Sequence, residues 1–168
     1  MPPLKFRSPS LLFIFFIVFV ASIANSSHAQ DHSHAKIVFF GKQPPSSTCL
    51  HKLQTLQREL RHFPFPNDWT LGVACDPITW ESALRRAEFP PTDTAFTGIK
   101  PRLTVLNGEI FNQQPNYYEH TLAHELGHVR CSCVEESRAE EIGMRYLKSP
   151  EYLAGKNDDE SPGIGVSQ

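Results

Sequence analysis

The run His124-Glu125-Leu126-Gly127-His128 constrains this chain more than any other stretch. Residues four apart on an α-helix stand one turn above each other on the same face. Two imidazoles so placed can converge on one divalent metal ion. The Glu beside the first of them can accept a proton from an attacking water. An ion held this way needs a third protein ligand, so the helix must pack against an element that supplies one. A His six residues after His128 would serve, but Val134 stands there. The candidates are the carboxylates Glu135, Glu136, Glu140 and Glu141.

Spacing places these carboxylates. Leu122, Ala123, Leu126 and Val129 share one face of a helix predicted over 116–129, with Asn116 as its cap. Ala139, Ile142, Gly143, Tyr146 and Leu147 give the inner face of a second helix over 135–147. The segment Cys131-Ser132-Cys133-Val134 between them suits a tight αα-hairpin. Folding back near residue 132 sets Glu136 opposite His128 and Glu140, one turn on, opposite His124. Glu136 can then complete the metal site. Glu140 can accept the free ring N–H of His124, as metal-bound histidines require. Glu135 and Glu141 read as a solvated face.

Upstream, KIVFFG (36–41) and TLGVAC (70–75) read as strands. Leu50, Leu53, Leu56 and Leu60 give a helix over 48–62, capped by Ser47 or Thr48. Asp76-Pro77 opens a helix carrying Trp80, Ala83, Leu84 and Ala87. Residues 94–97 and 102–106 form a hairpin around Gly98-Ile99-Lys100-Pro101. The order strand, helix, strand, helix, hairpin, helix, helix is α+β, without internal repeats. The predicted globular part is 36–149, and the Gly-, Asn- and Asp-rich stretch 150–168 reads as a disordered tail.

The N-terminus sets the compartment. Lys5 and Arg7 precede an apolar run, Leu11 to Ala24, whose 14 residues are too few to span a bilayer. Ser27-His28-Ala29 offers a small-x-small cleavage site, so 1–29 reads as a secretory signal peptide and 30–35 as a flexible mature N-terminus. The expected location is secreted or periplasmic, with no stable membrane insertion after cleavage. There the even set Cys49, Cys75, Cys131 and Cys133 suggests two disulfides. A bridge between Cys131 and Cys133 would close a very small ring, so each is expected to pair with Cys49 or Cys75. With 16 basic and 18 acidic residues the chain has no cationic excess for nucleic acid. A monomer acting on a peptide or protein is expected.

His124 to His128 followed by Glu136-Ser-Arg-Ala139-Glu140 resembles the gluzincin zinc metallopeptidases, which pair HExxH with a downstream Glu and an acidic residue four further on. Thr94-Ala95-Phe96-Thr97 looks like the thermolysin-type edge strand. The resemblance implies a small zincin-like domain. Its short, mostly antiparallel sheet would pack on the HExxH helix and the following Glu-bearing helix. It implies Zn²⁺ on His124, His128 and Glu136, Glu125 as general base, and Ala95 and Phe96 in a strand that pairs with an extended substrate. Tyr117, Tyr118, His120 and Tyr146 are candidates to stabilise the oxyanion. Two alternatives stand beside this reading. One is a secreted zinc-binding protein without hydrolytic activity. The other is Cu(II) held by a mature Gln30-Asp31-His32 terminus.

Overall fold

The computed structural model describes residues 35–41, 43–90 and 93–160. The predicted leader, nearly all of the 30–35 stretch and residues 161–168 lie outside them. The elements run β1 (Lys36–Phe40), α1 (Ser47–Glu59), β2 (Thr70–Ala74), α2 (Pro77–Ala87), β3 (Ala95–Gly98) and β4 (Leu103–Asn107). A 3₁₀ turn (Gly108–Asn112), α3 (Pro115–Cys131), α4 (Glu136–Leu147) and α5 (Pro150–Glu160) follow. The class is α+β, as expected.

The expectation of a mostly antiparallel sheet is corrected. The strand order is β1-β2-β4-β3, and both β1/β2 and β2/β4 pair in parallel. Only the β3–β4 hairpin is antiparallel. Helices α1 and α2 lie in the connections that return the chain to the same end of the sheet, as parallel neighbours need.

Period-two alternation divides the sheet's faces. Leu71, Val73 and Leu106 join Leu56, Phe63, Trp69, Leu122 and Leu126 in the larger core, under α1 and α3. Ala74 and Val105 face the other way, onto Trp80 and Leu84 of α2. On β3 the same rule sends Ala95 to the larger core and Phe96 to the α2 layer.

Caps and ends follow local chemistry. Asp76 caps α2 through its contact with Thr79 N, with Pro77 at the first position, as predicted. Ser46, one residue before the expected cap, caps α1 through Cys49 N. Helix α3 begins at Pro115 after Gln114, and Asn116 lies inside it. Residues 150–160 are helical, which corrects the expected tail. Tyr152 buries its ring against Phe63 and Tyr146, and Lys156 pairs with Glu119 at 2.7 Å. The disulfides are Cys49–Cys75 and Cys131–Cys133, not the crossed pairs expected. Cys49 at the start of α1 reaches the end of β2. Cys131 and Cys133 clasp the turn that returns α3 into α4. Among the described residues no helix is long and apolar enough to cross a membrane.

Candidate metal centre

Helices α3 and α4 pack backbone to backbone, which lets short carboxylate side chains reach the histidines. A methyl group at Gly143 would come within 2.5 Å of Ala123 O and 2.9 Å of His124 N. One at Gly127 would collide with the backbone of Ala139. The turn is closed by Ser132 in the left-handed conformation (φ 50°), whose N–H bonds back to the carbonyls of His128 and Val129. The N–H of Cys133 also donates to the carbonyl of His128.

Three side chains converge across this interface. His124 Nε2 is 3.0 Å from Glu136 Oε2 and 3.2 Å from His128 Nε2, and His128 Nε2 is 3.4 Å from the same carboxylate oxygen. The outer ring nitrogens are both engaged. His124 Nδ1 lies 2.9 Å from Glu140 Oε2, and His128 Nδ1 lies 2.9 Å from the carbonyl of Cys133. A carbonyl can only accept, so His128 Nδ1 carries a proton and the neutral ring turns a lone pair inward at Nε2. The group His124, His128, Glu136 could therefore hold a metal ion. Glu140 takes its place behind His124, with its other oxygen 3.0 Å from His120 Nε2.

Glu125 points into the interior. It is 4 % exposed, and Thr97 Oγ1 donates to its Oε2 at 2.6 Å. Burial pushes its carboxyl above the usual carboxylate range, against the opposing pull of Thr97 and the two histidines. Burial alone would lower His124. The hydrogen bond with Glu140 and the nearby charges of Glu125 and Glu136 outweigh it and raise the imidazole. Glu140 balances in the opposite sense. Burial tends to raise it, but its bonds to His124 and His120 leave it lowered.

A cleft of about 720 Å³ opens over the site between β3 and helices α3 and α4. Ala95, Phe96 and Glu125 line it, and the exposed apolar side chains Phe89, Tyr117 and Val134 stand on its walls. β3 is the sheet's edge strand and borders this cleft. Of the oxyanion candidates, Tyr117 and His120 line the cleft. Tyr118 is buried in the core. Tyr146 is buried too, donates to the carbonyl of His62, and is pushed up to about 12 by burial.

Two features escaped the sequence reading. The Cys133 carbonyl is a backbone acceptor and leaves no mark in side-chain spacing. Thr97 was legible in principle. A turn over 98–101 with strands 94–97 and 102–106 sets Thr97 on β3 near Thr104 on β4, and side chains paired across a hairpin share a face.

Comparison of the chain with protein-family models, with curated proteins and with solved structures finds no match.

Proposed function

We propose that this chain is an exported, monomeric zinc metallopeptidase of gluzincin-like type that hydrolyses peptide bonds, with His124, His128 and Glu136 as ligands. The observation that carries this reading is the triangle of Nε2, Nε2 and Oε2. Its edges of 3.0, 3.2 and 3.4 Å suit one face of a tetrahedron. Bonds of ~2.0–2.1 Å to a tetrahedral ion place ligand atoms about 3.3 Å apart. The donor set, two imidazoles and a carboxylate, is that of a hydrolytic zinc site, and both outer nitrogens have the acceptors such ligands need.

A zinc ion bound there supplies Lewis-acid chemistry, polarising a carbonyl and making water a competent nucleophile near neutral pH. The chain's own groups do the rest. The edge of β3 at Ala95 and Phe96 offers backbone donors and acceptors to an extended peptide. The Glu125 oxygen not held by Thr97 takes the proton of the attacking water and passes it to the leaving amine. His120 and Tyr117 face the same cleft and are the donors available to a developing oxyanion. A closed, purely structural zinc site is the less favoured reading. Glu140, the residue best placed to be a fourth ligand, has both oxygens on outer nitrogens, one on His124 and one on His120.

The test is zinc content alongside casein hydrolysis. The protein should bind one zinc per chain, and His124→Ala should lose it. Glu125→Ala should keep the metal while hydrolysis falls about 10²–10⁴-fold, the range for loss of a general base. Casein cleavage by Glu125→Ala at the unmodified rate would overturn the assignment.

A further inference from the structure

A file of polar groups runs through the core and ends on Glu125. Trp69 Nε1 is 3.0 Å from Thr104 Oγ1, Thr104 Oγ1 is 2.6 Å from Thr97 Oγ1, and Thr97 Oγ1 is 2.6 Å from Glu125 Oε2. Trp69, Thr104 and Glu125 are all buried, and Thr104 is wholly so. Hairpin register builds the middle of the file, since Thr97 and Thr104 are partners across β3 and β4.

The two ends fix its direction. An indole N–H can only donate, a carboxylate can only accept, and each hydroxyl has one proton. Trp69 donates to Thr104. Thr97 gives its single proton to Glu125. In the contact between the hydroxyls, Thr104 must therefore donate to Thr97. Every proton is assigned and every link points toward Oε2. A proton on Oε2 would reverse the last link and leave Thr97 accepting there. One hydroxyl proton, on Thr97 or on Thr104, would then be displaced from the file and need another acceptor.

We propose that Thr97, backed by Thr104 and Trp69, is a positioning residue that holds Oε2 of Glu125 as a fixed acceptor and so commits Oε1 to proton transfer at the cleft. An unclamped glutamate has two equivalent oxygens and rotates about three bonds, whereas this one is left a single working oxygen in a single orientation. The part concerning proton transfer rests on the peptidase reading. The clamp itself is a property of the metal-free chain, so the two fail separately.

The experiment has two arms. In metal-free protein labelled with ¹⁵N-tryptophan, the indole resonances of Trp69 and Trp80 are followed by NMR. Trp80 serves as reference because it packs on the opposite face of the sheet. Glu125→Gln replaces a charged acceptor by a neutral one and should move the Trp69 resonance through the cooperative file, leaving Trp80 in place. In a Thr97→Val background the same change should leave Trp69 still. A Trp69 resonance blind to Glu125→Gln, or one that still responds after Thr97→Val, would overturn the clamp. Thr104→Val makes the same cut one link farther from the carboxylate and serves if Thr97→Val does not fold.

In zinc-loaded protein, Thr97→Val should lower kcat by about 10–100-fold, the scale of a misplaced catalytic group. KM and zinc content should hold within about twofold, and Thr97→Ser should recover most of the rate. Equal kcat for the Val and Ser variants would overturn the positioning role. If the zinc-loaded protein hydrolyses nothing at all, the peptidase reading falls, and the indole arm still decides the clamp.

Discussion

Gly143→Ala probes the contact on which the candidate metal centre is built. The new methyl group would meet Ala123 O at 2.5 Å, where ordinary contact begins at 3.4 Å, so α4 must retreat there by about 0.9 Å. The opposing atoms are backbone and cannot rotate away. If α4 swings about the turn near residue 134, displacement scales with distance along the helix at 1.5 Å per residue. It is then about 0.6 Å at Glu140 and about 0.2 Å at Glu136. The Glu140–His124 hydrogen bond of 2.9 Å is stretched to a length at which it no longer holds the ring. Glu136 stays within the tolerance of a metal ligand.

The variant should therefore bind zinc about 10–100-fold more weakly without losing the site, as expected for loss of an outer-ring acceptor. Glu140→Gln should weaken zinc to a similar degree, and the double variant should be no weaker than either alone. Stability carries two opposing terms. Overpacking costs about 1–3 kcal/mol. Replacing a helical Gly by Ala returns about 1 kcal/mol. The expected net loss, about 0–2 kcal/mol, is read from urea unfolding of metal-free protein, and affinity from competition against a chelator. A Gly143→Ala protein that is stabilised by the helix-propensity gain and binds zinc unchanged would show that the helices do not approach this closely. The placement of Glu140 would fall with it.

Two further outcomes test the frame around the site. Removing Cys49–Cys75, with a sequence separation of 26, should cost roughly 3.5 kcal/mol in the loop-entropy account. Removing Cys131–Cys133, with a separation of 2, should cost roughly 1.5 kcal/mol. Equal losses for the two Cys-to-Ala pairs in urea unfolding would instead point to crossed bridges. Acid stability should depend on Glu109, whose carboxyl is held below its ordinary value of 4.5 chiefly by the hydrogen bond from the buried Lys52 ammonium. A depressed folded value means that its contribution is present above about pH 4.5 and is lost as pH falls through the folded value. Glu109→Gln should flatten that part of the stability profile as pH falls below about 4.5, and parallel profiles for the two proteins would refute the pairing.

What the sequence made legible is governed by local rules. The i, i+4 spacing of His124 and His128, the break at 132–135 and the i, i+4 spacing of Glu136 and Glu140 are each properties of one helix or one turn. Together they suffice to set the four side chains opposite each other. Sheet topology depends on long-range pairing, and the one visible hairpin points to an antiparallel sheet that the other pairings do not follow. The helices predicted between the strands at 36–41 and 70–75, and beyond the latter, were the better guide, because parallel neighbours need such connections. Composition alone reads the region 150–160 as lacking structure. Its helix has few apolar side chains, and Tyr152 against Phe63 and Tyr146, with Lys156 on Glu119, fixes it by tertiary contact. Ring size alone argues for crossed disulfides, whereas α1 and β2 bring Cys49 and Cys75 together, their Cα atoms 5.3 Å apart.

A candidate metal site whose proposed ligands His128 and Glu136 stand only eight residues apart puts its whole burden on the turn between them. The backbone of that turn serves both as structure and as a binding element. The carbonyl of His128 receives the N–H groups of Ser132 and Cys133, while the ring of His128 donates back to the carbonyl of Cys133. The residue that must present a lone pair inward is thus bonded through main chain and side chain to the segment that delivers Glu136. The ring cannot turn without releasing the segment, and the segment cannot open without releasing the ring. This reciprocity orients Nε2 of His128 in the metal-free chain, and it would lower the ordering cost of binding an ion there.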